Sequence, residues 1–63
     1  MNYYKVEVYV KIGGVEQKYA SNYKIDSKDT AEKYLGGTVL SIFKSYPDAV
    51  ITDAYIVPIS MDD

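Results

Sequence analysis

The chain of 63 residues contains no cysteine, histidine, tryptophan or arginine. Without cysteine it can form no disulfide, so folding depends on the small apolar core that such a short chain can build. The same absence favours a cytoplasmic setting, because small secreted domains tend to be rich in disulfides. We also find no signal-peptide pattern and no apolar run long enough to span a membrane, so we expect no membrane partner.

The missing residue types also restrict the chemistry. Without histidine and cysteine, a general base would have to be a carboxylate or a lysine, and no catalytic motif surrounds one. The glycine pairs at 13–14 and 36–37 fit neither the P-loop nor the dinucleotide-binding pattern. Four aspartates lie near the C-terminus, at positions typical of a turn, a strand end and a polar tail: Asp48, Asp53, Asp62 and Asp63. Their spacing does not match a known cation-binding loop. We therefore predict no enzyme activity, no catalytic residue, no metal and no cofactor.

Charge and tyrosine content point towards a protein partner. The net charge is −2, whereas nucleic-acid binders normally carry a basic surplus in which arginine is prominent. The chain has 8 tyrosines, a residue that provides contact area at low entropic cost and is enriched in interfaces. Tyrosine also simply favours strand positions. Both explanations can hold, because a small sheet has more surface than one helix can cover.

The N-terminal part predicts a β-hairpin. Residues 3–12 alternate between apolar and polar, and Gly13-Gly14 has the composition of a two-residue hairpin turn. A second strand then covers residues 15–25. This turn predicts the register Ile12–Val15, Lys11–Glu16, Tyr9–Lys18, Val8–Tyr19, Tyr4–Tyr23 and Tyr3–Lys24.

Residues 27–46 predict a helix. Asp26 or Ser27 can cap its N-terminus, and Tyr46-Pro47 ends it. One face of the helix carries the predicted core stripe: Ala31, Leu35, Thr38, Val39, Ile42, Phe43 and Tyr46. The alternative is that Gly36 caps a shorter helix, after which residues 38–43 form a strand.

The last predicted strand covers residues 50–59, where Pro58 suggests a sheet edge or a strand end. Neither of its faces is clearly polar, so the pattern does not say which one meets the helix. We predict one α+β domain over residues 1–63 with the order ββαβ. Its three-stranded antiparallel sheet has the order 2-1-3, and the helix packs on one face.

Two surfaces are candidates for partner binding. The first is the open sheet face, with Tyr3, Tyr9, Lys18 and Tyr55. It becomes a large apolar patch if Ile51, Tyr55, Val57 and Ile59 all lie there. The second is the outer helix face, with Gly36, Gly37 and Leu40, where the alternative is an ordinary solvated face with one exposed leucine.

The chain resembles a general type of protein, without a shared motif, and the resemblance is carried by the segments MNYYKVEVYV and FKSYPDAVITDAYIV. The chain resembles small accessory proteins of tailed phages or mobile elements of low-GC Gram-positive bacteria. This resemblance implies a host-takeover or anti-defence protein that binds and inhibits a host factor, although −2 is a weak charge for a DNA mimic.

We therefore predict a non-enzymatic protein-binding module, an inhibitor that blocks a surface of a host or defence protein, and a homodimer as a further possibility. The alternatives are nucleic-acid binding through the Lys/Tyr sheet face and a structural homo-oligomer.

Overall fold

A computed structural model describes residues 2–22 and 24–60. The elements are β1 (Asn2–Ile12), β2 (Val15–Ala20), α1 (Lys28–Ser45) and β3 (Val50–Ser60). The strands form one antiparallel sheet in the order β2-β1-β3, and α1 packs on one face of it. The predicted α+β fold and strand order are therefore confirmed.

Strand β1 is the centre of the sheet and of the core. Its even-numbered side chains face the helix, and Val6, Val8 and Val10 are the largest fully buried side chains among the described residues. The other buried apolar residues are Ile25, Ala31, Ile42 and Ala49. A core of valine, isoleucine and alanine is small, as expected for a chain of this length.

The hairpin follows the predicted register over the whole of β2. Gly13 and Gly14 have φ values of 59° and 80°, the positive values that a primed hairpin turn needs. The ladder then runs from Ile12–Val15 to Glu7–Ala20 and includes the predicted pairs Lys11–Glu16, Tyr9–Lys18 and Val8–Tyr19.

The predicted extent of the second strand is wrong, because β2 ends at Ala20. The N–H of Ser21 still donates to the Val6 carbonyl at 2.9 Å, but the N–H of Val6 donates to the Ser21 hydroxyl at 2.8 Å. A side-chain acceptor thus replaces the backbone carbonyl that would continue the ladder. Tyr4 pairs with Ile25, so the predicted Tyr4–Tyr23 and Tyr3–Lys24 pairs are wrong; Tyr23 itself lies outside the described residues.

A bulge in β3 explains why its two faces look alike in the sequence. Tyr9 pairs with Asp53 while Val10 pairs with Ile51, which leaves Thr52 as an extra residue. The bulge reverses the side-chain alternation, so Ile51 and Ile56 both pack against the core although their positions have opposite parity.

Helix α1 is continuous through Gly36 and Gly37, so the alternative of a short helix followed by a strand is wrong. The Ser27 hydroxyl caps the N-terminus by accepting from the Thr30 N–H at 3.1 Å. At the other end the Tyr46 N–H donates to the Ile42 carbonyl at 2.7 Å, directly before Pro47.

The predicted core stripe of α1 is too wide. Ala31 and Ile42 are buried, and Leu35 and Val39 pack against the core. Phe43 and Tyr46 are exposed instead. Three strands form a sheet too narrow to cover every apolar position on the helix.

The glycines give a paired test of the backbone. Gly13→Ala should lower the free energy of unfolding by about 1 kcal/mol, because an alanine is strained at positive φ. Gly36→Ala should raise it by about 1 kcal/mol, because the helix gains propensity and no atom lies within 4 Å of the added Cβ. Urea unfolding measures both, and a destabilised Gly36→Ala variant would contradict the continuous helix.

Candidate functional site

The face of the sheet opposite α1 is not covered by any described element. It carries the odd-numbered side chains of β1 together with their neighbours on β2 and β3. By register these neighbours are Glu16, Lys18, Ala20, Val50, Asp53, Tyr55, Val57 and Ile59. We call this surface the open face.

A cluster of polar side chains surrounds Glu7 at the middle of the open face. Glu7 is only 6% exposed although no helix covers it. One carboxylate oxygen, Oε2, lies 2.8 Å from the Lys5 amine. The other, Oε1, accepts from the Tyr9 hydroxyl at 2.9 Å and lies 3.7 Å from the Lys18 amine. We call Lys5, Glu7, Tyr9, Lys18 and Tyr55 the Glu7 cluster.

The electrostatics of the Glu7 cluster follow from these contacts. Hydrogen bonds from Lys5 and Tyr9 lower the pKa of Glu7 from 4.5 to about 2, because they stabilise the carboxylate more than burial penalises it. A side-chain hydrogen bond with Tyr9 raises the pKa of Tyr55 to about 12, and burial adds to the shift. At neutral pH the cluster therefore holds an ionised Glu7 and a neutral Tyr55.

The aromatic rings add a rigid surface to the cluster. The centroids of the Tyr9 and Tyr55 rings lie 5.8 Å apart at an interplanar angle of 35°, within the range of favourable aromatic pairs. The Lys18 amine lies 5.7 Å from the centroid of the Tyr9 ring, a cation–π distance. Together with Asp53, these side chains line a shallow depression of about 490 Å³.

The structure thus brings together three of the four residues predicted for the sheet surface. Lys18 and Tyr55 each contact Tyr9, which lies between them on β1. Tyr3 shares the face but pairs with Ile59 at its far end, six residues from Tyr9 and therefore about 20 Å away along the strand.

Glu7 and Lys5 belong to the cluster but were not among the residues predicted for the site. In the alternating pattern of β1, Glu7 looks like any solvated residue. One signal was available: Lys5 and Tyr9 lie two positions away on the same face, and the hairpin register puts Lys18 beside them. Three potential donors around one carboxylate favour a fixed, covered side chain over a solvated one.

The apolar part of the open face is smaller than the patch considered from the sequence. Tyr55, Val57 and Ile59 lie there, but Ile51 packs against the core. Beyond the bulge Val50, which is exposed, takes a place on the open face beside Lys11. The face is therefore a mixture of tyrosine, aliphatic and charged side chains, which is the usual composition of a non-obligate interface.

The outer helix face is exposed as predicted: Gly36 and Leu40, four residues apart, lie on one side of α1, and Gly37 lies beside them towards β2. Leu40 is 60% exposed, and both Gly36 and Gly37 have open space where a Cβ would lie. Gly37 lines a separate groove of about 590 Å³ between α1 and β2, together with Tyr19, Tyr34 and Ser41. This groove exists because α1 packs mainly on β1 and β3 and covers the helix side of β2 only in part.

The charges on the open face are balanced. Its described residues include three lysines (Lys5, Lys11 and Lys18) and three carboxylates (Glu7, Glu16 and Asp53). Two of the lysines already contact Glu7. A nucleic-acid backbone would bind such a face weakly, because its phosphates need cations that are not already paired with carboxylates.

Within residues 2–22 and 24–60, no group of three or more side chains is arranged to hold a metal ion. No helix in the described part of the chain combines the length and the apolar character needed to cross a membrane.

The depressed pKa of Glu7 predicts how stability changes with pH. Since its folded pKa of about 2 lies below 4.5, its contribution is complete above about pH 4.5 and is lost as the pH falls through about 2. Glu7→Gln should lower the melting temperature at neutral pH and flatten its decline between about pH 5 and 2. Thermal unfolding followed by circular dichroism across that range is the measurement.

Glu32→Gln is the matched control, because it removes a carboxylate from an exposed position on α1. It should keep the pH profile of the wild type. Identical profiles for Glu7→Gln and the wild type would show that the cluster contributes nothing to stability.

Comparison with known proteins adds no relative from which a residue's role could be transferred. No protein-family model, no curated protein and no solved structure matches the chain. The roles of individual residues therefore rest on the surfaces described above.

Proposed function

We propose that this protein is a non-enzymatic binding module and that its open face, centred on the Glu7 cluster, meets a protein partner. One observation carries the proposal. On an uncovered sheet face, the Glu7 carboxylate, itself only 6% exposed, accepts from the Tyr9 hydroxyl and pairs with Lys18, and the Tyr55 ring packs against Tyr9. Tyrosine and a shielded ion pair at the centre of a flat surface resemble the anchors of protein interfaces.

The fixed geometry of the cluster favours binding. A side chain that is already held in one rotamer loses little further freedom when a partner covers it. Tyr9 is held by its hydrogen bond to Glu7 and by its contacts with Tyr55 and Lys18. These side chains lie on a strand at the centre of the sheet, which moves less than a loop would.

The surroundings of the cluster provide the apolar area that an interface needs. Val57 and Ile59 continue the face along β3 beyond Tyr55, and Val50 lies at its other end. The molecule measures 43 × 18 × 13 Å, so this face is one of its two broad sides. Such a slab suits the blocking of a flat site on a larger protein.

The resemblance to phage and mobile-element proteins suggests what the partner is. We propose a host or defence protein that is inhibited when the open face covers it. Binding of single-stranded nucleic acid to the same tyrosines is the competing hypothesis, and the balanced charge of the face weighs against it.

The test is capture from a Gram-positive lysate with the tagged protein, with and without nuclease, followed by mass spectrometry. We expect one stoichiometric protein that survives nuclease. Tyr9→Ala combined with Tyr55→Ala should weaken its binding more than about tenfold, because anchor tyrosines typically contribute more than 1 kcal/mol each. Calorimetric titration of the purified partner measures the change.

The control variants are Tyr34→Ala and Leu40→Ala. Tyr34 is 47% exposed, comparable to Tyr55 at 39%, but it lies on α1; Leu40 tests the outer helix face. Both should bind like the wild type. Loss of binding in Leu40→Ala alone would place the site on the helix, and captured material that disappears with nuclease would support the nucleic-acid hypothesis. Circular dichroism must show that each variant folds. If the double alanine variant does not fold, the double variant Tyr9→Phe with Tyr55→Phe is tested in its place.

A further inference from the structure

The two edges of the sheet differ in their ability to accept another strand. In the hairpin, the pair that flanks the two-residue turn exchanges hydrogen bonds, and every second pair repeats this. The Ser21 N–H donates to Val6 at 2.9 Å, as this alternation requires. The peptide groups of the intervening residues Glu16, Lys18 and Ala20 therefore point away from β1, towards the free edge of β2.

The edge of β3 is protected against pairing with another strand. By the same alternation, its outward peptide groups belong to Ala54, Ile56, Pro58 and Ser60. Pro58 has no N–H to donate, and the Ala54 N–H already donates to the Asp53 carboxylate at 3.0 Å. The bulge at Thr52 distorts the edge further. Proline and a bulge are usual devices against edge pairing, and the Asp53 carboxylate occupies a further edge N–H, whereas the outward peptide groups of β2 all retain their N–H.

Among the symmetric registers centred on Glu16, Gln17 or Lys18, one matches the β2 edges of two copies in charge. A two-fold axis between antiparallel edge strands is perpendicular to the sheet, so opposed side chains lie on the same face. With Glu16 or Lys18 on the axis, like charges oppose each other. With Gln17 on the axis, Glu16 of each copy opposes Lys18 of the other, and their outward peptide groups meet.

This register also satisfies side chains that the single chain leaves exposed. Glu16 makes no ion pair with another described residue, and Val15 is 60% exposed on the helix side of β2. Across the axis at Gln17, Val15 of each copy opposes Tyr19 of the other, an aliphatic–aromatic pair that stabilises adjacent strands. Both pairs occur twice by symmetry.

We infer that two copies associate through their β2 edges, antiparallel, with the two-fold axis at Gln17. The two three-stranded sheets become one continuous sheet with both helices on the same side. The two open faces then join on the other side, so the dimer presents twice the surface proposed for the partner. This interface lies at the β2 edge and shares Lys18 with the Glu7 cluster. Glu16→Lys leaves the cluster unchanged and therefore tests the interface independently of it.

Charge reversal provides the test. In a Glu16→Lys dimer, the new lysine of each copy faces Lys18 of the other, which makes two lysine–lysine pairs. In a Lys18→Glu dimer, the new glutamate of each copy faces Glu16 of the other, which makes two glutamate–glutamate pairs. Each variant alone should therefore dimerise at least about tenfold more weakly than the wild type. A mixture of the two variants restores both opposite-charge pairs and should form a heterodimer. Sedimentation velocity over a concentration series measures the dissociation constants, and native mass spectrometry identifies the mixed dimer.

Glu32→Lys and Lys33→Glu are the matched controls, because they make the same charge changes on exposed positions of α1 and should dimerise like the wild type. A wild type that stays monomeric at high micromolar concentration would overturn the inference. So would a Glu16→Lys variant that dimerises like the wild type, or two folded variants that fail to pair when mixed. If Lys18→Glu does not fold, because a second carboxylate then lies near Glu7, the result for Glu16→Lys alone decides.

Discussion

One helix has to cover one face of a three-stranded sheet, and the remaining features of the molecule follow from this constraint. Helix α1 packs over β1 and β3, where Val6, Val8 and Val10 are sealed against Ala31 and Ile42. Nothing described covers the other face, and the helix side of β2 is covered only in part. The chain cannot add a second apolar layer at this length. The uncovered face is stabilised instead by a carboxylate with several donors around it.

The parts of the fold that follow from local chemistry could be predicted from the sequence. Gly13-Gly14 sets the turn, the turn sets the register, and the alternation of β1 assigns its valines to the core. The end of β2 and the orientation of β3 could not be predicted in this way. Strand β2 ends where the Ser21 hydroxyl replaces a backbone carbonyl as the acceptor, and β3 changes its orientation at the extra residue Thr52. Neither feature is visible in the hydrophobic pattern of the residues that precede it.

The candidate site likewise has a part that could be predicted from the sequence and a part that could not. Residue type and register were enough to place Tyr9 and Lys18 on one face, because cross-strand neighbours follow directly from the hairpin pairing. Tyr55 was named as a candidate by residue type while the orientation of β3 stayed open, and the structure places it opposite Glu7. The role of Glu7 depends on side-chain rotamers, since only a particular arrangement of Lys5, Tyr9 and Lys18 covers a carboxylate on an open sheet. Periodicity assigns a residue to a face, but it does not distinguish a solvated carboxylate from one that organises its neighbours.

Lys18 connects the open face with the edge of β2. Its amine lies 3.7 Å from Glu7 and over the Tyr9 ring, yet the side chain remains 49% exposed. In the inferred dimer the same lysine opposes Glu16 of the second copy, so one cation lies between a carboxylate of its own chain and one from its neighbour. The long, flexible lysine stem allows both contacts. Association at the edge would therefore restrict Lys18 and, through it, Tyr9. If both proposals hold, dimerisation fixes the geometry of the binding face as well as doubling its area.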